Sequence, residues 1–194
     1  MRVVLGMPKT GGPISVEAAI LRRRSRRSFQ GAKLTQQQLS QVLWSAVKAP
    51  SAGATYPLAV YVVVGAESVE GIAAGVYHYR SAEGALTLLK EGDHRKALAV
   101  ASLRQMFIAD APVSVVITAE YERTTRVYGD RGVRYVMMEA GHVSQNIYLQ
   151  CEALGLATVA IGAFRDDEVA TVVNVPGMQR PLYVMPVGVR VERV

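Results

Sequence analysis

A single cysteine, Cys151, stands among 194 residues. It excludes an internal disulfide and a metal site built from several thiolates. No apolar run approaches the ~18 residues of a membrane-crossing helix, so no membrane partner is expected. Met1 to Gly12 offers only Val3-Val4-Leu5 as an apolar stretch, too short for the core of a secretory signal. Aromatic residues make up 7% of the chain, with one Trp, so stacking platforms for nucleic-acid bases are missing. There is no Gly-x-Gly-x-x-Gly fingerprint for a dinucleotide, and no nucleophile elbow around Ser51. Repeats, low-complexity tracts and long linkers are absent too. Half of the residues are apolar and a fifth are charged, which is the composition of a globular domain with its own core. A cytoplasmic location is the expectation.

Charge is present in one place. Arg22, Arg23, Arg24, Arg26 and Arg27 fall within six positions, and without them the formal charge of +6 would be +1. Three readings are open for the cluster. It can be a solvated helix end, since C-terminal carbonyls favour cations. It can be a nucleic-acid arm, although the nearly neutral remainder gives no basic stripe to extend it. It can be a phosphate clamp. An extended segment puts Arg23, Ser25 and Arg27 on one side, and two guanidinium groups with a hydroxyl suit a phosphate monoester.

The periodicities predict a mixture of helices and strands. Residues 1–13 read as an extended arm hinged at Gly11-Gly12-Pro13, and residues 14–194 as one domain. Ser15 caps a helix running to about Arg24. Thr35 and Gln38 form a capping box ahead of Leu39, Val42, Leu43 and Ala46 at helical spacing. Ala59–Val64, Val113–Thr118 and Thr158–Ile161 read as buried strands, and Val76–Tyr79 with Ala85–Leu89 as a hairpin. A helix is expected from Asp93 to about Arg104, and a short one over Asp166–Val173. The longest helix runs from about Gly132 to Leu154. Its apolar stripe is Val133, Val136, Met137, Ala140, Val143, Ile147, Cys151 and Leu154. A last strand, Leu182–Val189, is expected to break at Pro186. The whole predicts an α+β domain with a mixed sheet between helices.

Two loops join the arginines as candidate sites. Ala49-Pro50-Ser51-Ala52-Gly53-Ala54 leaves a helix with side chains too small to fill a pocket, so its backbone can approach a flat ligand. Gly162 and Ala163 end a buried strand and expose backbone N–H groups where ligands of sheet proteins often lie. Glu139…His142 and Glu91…His94 have di-iron spacing, but the strand content argues against a metal-binding bundle. No metal is expected. His78 and Cys151 read as structural.

Taken in order, these segments resemble the FMN-dependent nitroreductase superfamily, and within it the SagB-type dehydrogenase-like branch. Arg23-Arg24-Ser25-Arg26-Arg27-Ser28-Phe29 looks like the family's Arg-Arg-Ser-x-Arg-x-Phe signature. Ala49-Pro50-Ser51-Ala52 looks like its second flavin segment, with Ala54 where an Asn is familiar. Tyr56-Pro57 has the SagB-type form. Gly141-His142-x-x-Gln145-Asn146 and Leu154-Gly155-Leu156 through Ile161-Gly162-Ala163-Phe164 resemble the remainder. The resemblance implies an intertwined homodimer with FMN at the subunit interface and NADH or NADPH as reductant. It implies that Arg23, Arg24, Ser25 and Arg27 hold the phosphate and ribityl tail, with Arg190 as a further candidate. Pro50, Ser51 and Ala52 would touch the isoalloxazine from the partner subunit, and Gly162 and Ala163 would face N5 and O4. No catalytic side chain is expected, because the flavin carries the chemistry. The implied activity is two-electron reduction of a small-molecule substrate. A SagB-like azoline oxidase acting on a peptide is the alternative, and a basic nucleic-acid-binding domain the non-enzymatic one.

Overall fold

The computed structural model of the chain describes residues 1–191. Seven strands form one sheet: β1 (Arg2–Val4), β2 (Leu58–Val64), β3 (Gly75–Arg80), β4 (Ala85–Glu91), β5 (Val113–Ala119), β6 (Leu156–Thr158) and β7 (Arg180–Val189). Their spatial order is β1-β4-β3-β2-β5-β7-β6. Every pairing between these strands is antiparallel. Among the described residues parallel pairing is confined to the isolated bridge Leu34↔Val69. The N-terminal arm takes part in the sheet, since Arg2 pairs with Thr87 at its edge.

Helices cover both faces: α1 (Val16–Arg22), α2 (Gln36–Ala46), α3 (Arg95–Ala101), α4 (Phe107–Asp110), α5 (Glu122–Tyr128), α6 (Arg131–Ala153) and α7 (Asp166–Val173). Strand alternation explains the three layers. Val60, Val62 and Val64 of β2 join Leu39 and Leu43 of α2 and Val143, Ile147 and Cys151 of α6 in one core. Tyr61 and Val63 face the other way, onto Leu98 of α3, Ile108 of α4 and Val169 and Val173 of α7. Burial pushes the Cys151 thiol well above its ordinary range, so it is an inert core group. His78 stacks on Tyr61 at 4.7 Å, and burial lowers its pKa. No helix among the described residues is long and apolar enough to cross a membrane.

The caps decide the helix ends as expected. The Ser15 hydroxyl accepts the Ala18 N–H, and Thr35 and Gln38 complete their reciprocal capping box. Several expectations need correction. The strand expected over Thr158–Ile161 ends at Thr158, leaving an isolated bridge between Ile161 and Val184. Pro186 does not break β7. Val184 exchanges both backbone bonds with Ile161. By strand alternation Pro186 turns its missing N–H the same way, toward Val159–Ala160, where no partner strand runs. The helix expected from Asp93 is shorter, and α4 and α5 follow where no helix was expected. The apolar stripe of α6 also divides: Val136, Ala140, Val143, Ile147 and Cys151 are buried, whereas Val133 and Met137, with Met138 beside them outside the stripe, are about half exposed.

Candidate flavin site

The arginine segment owes its course to the end of α1. Arg23 leaves helical geometry, and residues 23–27 cross the C-terminal half of α6. Tyr148 and Glu152 stand one turn apart on that helix, so both face the crossing segment. The Ser25 and Tyr148 hydroxyls are 2.8 Å apart. The Tyr148 hydroxyl also accepts the Ala160 N–H at 2.8 Å. Arg23 lies over the Tyr148 ring at 5.1 Å, and Arg27 lies near the Phe107 ring at 5.9 Å. Arg24 is exposed. None of Arg23, Arg24 and Arg27 is paired with a carboxylate among the described residues.

Arg26 differs. Its backbone N–H donates to the Thr158 carbonyl, and its guanidinium donates to buried Glu152 at 2.8 Å. The other Glu152 oxygen accepts from Arg190 at 2.7 Å. Arg190 thus sits next to the cluster, with one nitrogen engaged by Glu152. Phe29 bridges to Arg190, and the Gln30 N–H donates to the Val189 carbonyl. The start of the domain and the end of its last strand are therefore zipped together here.

Gly162 and Ala163 are exposed just beyond Ala160. Among the described residues neither N–H has a backbone partner. The Ala163 carbonyl accepts from the Gln105 side chain at 2.9 Å. Gln105 follows Leu103 and Arg104, both at positive φ, so this rim is built from strained backbone.

The Pro50–Ala52 segment lies elsewhere. A short 3-10 turn, Ala52–Ala54, rests against the first half of α6. Gly53 (φ 56), Ala54 (φ 52) and Tyr56 (φ 43) are all left-handed. A Cβ on Gly53 would strike the Tyr128 hydroxyl, so glycine is needed both for conformation and for space. The Ser51 hydroxyl accepts the Tyr56 N–H at 2.9 Å and lies close to the Glu139 carboxyl. Burial pushes the Glu139 carboxyl above the usual range, opposed by the Ser51 hydrogen bond and by attraction to His142 and Arg123.

The chain thus brings Arg23, Ser25, Arg27 and Arg190 together with Gly162 and Ala163, but not with Pro50, Ser51 and Ala52. The step from Glu139 to Tyr148 on α6 climbs about 13 Å and ends about half a turn round, on the opposite face. None of these residues lines the 820 Å³ groove between Lys9–Val16, α2 and α6. Sequence reasoning missed Tyr148, Glu152, Gln105 and Phe107. The one available signal was a tyrosine and a carboxylate at i, i+4 beside an apolar stripe. The residues present fit FMN. Unpaired guanidiniums and a hydroxyl suit a phosphate, and unpartnered backbone N–H groups suit the polar edge of a ring.

Comparison with known proteins gives a coherent picture. The model of the nitroreductase family matches residues 20–189. The nitroreductase-family protein MJ1384 of Methanocaldococcus jannaschii is 45% identical over 188 residues, covering 92% of this chain and 93% of its own. McbC, a microcin B17-processing protein of Escherichia coli, is 29% identical over 131 residues, covering 64% of this chain and 47% of its own. A nitroreductase-like structure from Anabaena variabilis superposes with a TM-score of 0.87 at 26% identity, over 97% of this chain and 41% of that one. A chain of the Escherichia coli microcin synthetase McbBCD complex with bound truncated pro-microcin superposes at 0.75 and 25% identity, over 98% of this chain and 79% of that one. The NADPH:FMN oxidoreductase of Vibrio harveyi, at 20% identity and 0.69, over 91% of this chain and 69% of its own, shares the fold.

Proposed function

The chain belongs to the nitroreductase family, and on that footing we propose that it is a cytoplasmic FMN-dependent oxidoreductase. It would draw electrons from NADH or NADPH and pass them to a small organic acceptor. One observation carries the reading: Arg23 and Arg27, without a carboxylate partner among the described residues, lie in the segment tied by Ser25 and Tyr148 to Ala160, next to the Gly162 and Ala163 N–H groups, which among the described residues have no backbone partner. Bound FMN would supply two-electron hydride chemistry, which no side chain here provides. Arg23, Arg24 and Arg27 would hold its phosphate, with Ser25 fixed by Tyr148 and the remaining nitrogens of Arg190 alongside. The Gly162 and Ala163 N–H groups would stabilise negative charge on the ring. FMN released by heat and identified by chromatography supports the reading. FAD, or no flavin after reconstitution, overturns it.

Pro50, Ser51 and Ala52 would complete the site of a second copy. Within one chain they lie across α6 from the arginines. The half-exposed Val133, Met137 and Met138 give α6 an apolar surface to bury in a homodimer. Sedimentation at micromolar concentration should give about twice 21.0 kDa. A flavin-bearing monomer contradicts the shared site.

A second reading has its own support. McbC and the microcin synthetase chain process or accompany a peptide precursor by name, and Tyr56-Pro57 has the SagB-type form. An azoline oxidase would remove hydrogen from a ring already made in a peptide. Mass spectrometry of an azoline-bearing peptide incubated with the protein separates the two. Dehydrogenation favours the oxidase, and NAD(P)H-driven reduction of a nitroaromatic without it favours the reductase.

A further inference from the structure

We infer that Glu152 is a positioning residue for the flavin phosphate, acting through the arginine segment without touching the ligand. The inference rests on the FMN reading above. The Glu152 side chain is 2% exposed, and its two oxygens hold Arg26 at 2.8 Å and Arg190 at 2.7 Å. Arg26 lies within the segment that also carries Arg23, Ser25 and Arg27. Its side chain is fixed by Glu152 and its backbone by Thr158. Its second terminal nitrogen donates to the Arg22 carbonyl at 3.3 Å and closes the end of α1. Arg190 is fixed in turn by its own N–H to the Gly155 carbonyl and by Gln30 on its carbonyl. One buried carboxylate therefore joins the end of α1, the C-terminal turn of α6 and the end of β7. The Arg23 and Arg27 guanidiniums are held at a set spacing before any ligand arrives, which lowers the ordering cost of binding.

The role makes a prediction of unexpected sign. A carboxylate close to an anion site repels the anion, so simple electrostatics has Glu152→Gln tighten phosphate binding. Positioning requires the opposite. The test titrates the deflavinated full-length protein with FMN and with riboflavin, which lacks only the phosphate, by flavin fluorescence. Wild type should prefer FMN. Glu152→Gln should lose FMN affinity by about tenfold and keep its riboflavin affinity. A general structural role would weaken both ligands alike, and an electrostatic one would strengthen FMN. Either result overturns the inference, as does an unchanged ratio. If Glu152→Gln does not fold, Arg26→Met frees the segment while leaving the Glu152–Arg190 pair, and the same selective loss of FMN is required. A wild type that does not prefer FMN defeats the phosphate-clamp reading itself, and this inference with it. A preference that stands while the variants keep it defeats the inference alone.

Discussion

Glu139 and Glu152 are two carboxylates on one helix, 6% and 5% exposed, with opposite surroundings. Glu152 is gripped by two guanidiniums. Among the described residues Glu139 has no ion pair, burial raises its pKa, and the Ser51 hydroxyl and the charges of His142 and Arg123 oppose that shift. Equal burial therefore does not give equal chemistry. Desolvation of a charge costs several kcal/mol, and only a well-placed counter-charge offsets it. Glu152 is held by two counter-charges that join two segments, whereas burial disfavours the charged form of Glu139 beside the strained Pro50–Tyr56 loop.

The comparison is broken most directly at Glu152. Glu152→Ala strands two partly buried guanidiniums, and chemical unfolding should show a loss of about 3–5 kcal/mol. A loss below about 1 kcal/mol would mean that the triad behaves as a surface ion pair, and the contrast with Glu139 would disappear. Next in size is Arg27→Ala, which should weaken FMN binding by about 1.5–3 kcal/mol, since a charge-assisted contact is removed. Folding should change little, because Arg27 has only its approach to Phe107 to lose. Arg26→Ala gives the reverse pattern of cause, with stability falling first because Glu152 keeps only one partner. Flavin titration and unfolding run together on both variants separate the two. Equal flavin losses at equal stability would reduce the cluster to a diffuse basic patch.

Tyr148→Phe is somewhat milder. It leaves the Ala160 N–H without its acceptor and frees the Ser25 hydroxyl. A buried donor left unpaired costs about 1–3 kcal/mol, readable as a lowered urea midpoint with unchanged slope. An unchanged midpoint would show that water replaces the hydroxyl, and that the link from the arginine segment to Gly162 is not held by Tyr148.

Much of this architecture was legible in the residues. Ser15 and the Thr35–Gln38 box announce their helices because caps are local chemistry. The arginine run stands out as a candidate anion site because charge clustering is visible without coordinates. What stayed hidden depends on pairing across the chain. Arg26 and Arg27 look alike in sequence, and only the course of residues 23–27 over α6 makes one a tether and the other a candidate ligand. Phasing sets Arg26 apart from Arg23, Ser25 and Arg27, but Arg23, Ser25 and Arg26 all meet α6, and phasing does not reveal a buried partner more than a hundred residues away. The tolerance of β7 for Pro186 was equally invisible, since it depends on where β6 stops.

The smallest effect is expected at Glu139, and its sign matters more than its size. The folded protein holds this carboxyl above the unfolded value of 4.5. The native state therefore binds the proton more tightly than the unfolded one, and stability attributable to this group declines as pH rises from about 4.5 through the raised pKa. Glu139→Gln keeps the shape, can still pair with Ser51, and removes the buried charge. It should be more stable than wild type by on the order of 1 kcal/mol at neutral pH, and the difference should vanish in acid, where wild type is also neutral. Asp93 is a control of opposite sign. Burial raises its pKa, but the Arg95 side chain and charge and the Ala66 and Arg95 N–H groups outweigh burial and hold it at about 2. Its contribution is present above the unfolded value of 3.8 and is lost as pH falls toward 2. Urea unfolding from about pH 2 to about pH 8 distinguishes the two, since the lower limit reaches the Asp93 window. If Glu139→Gln destabilises at every pH, the Ser51 hydrogen bond to the ionised carboxylate outweighs desolvation. Glu139 would then be an anchored anion like Glu152, holding the Pro50–Tyr56 loop as Glu152 holds the arginine segment.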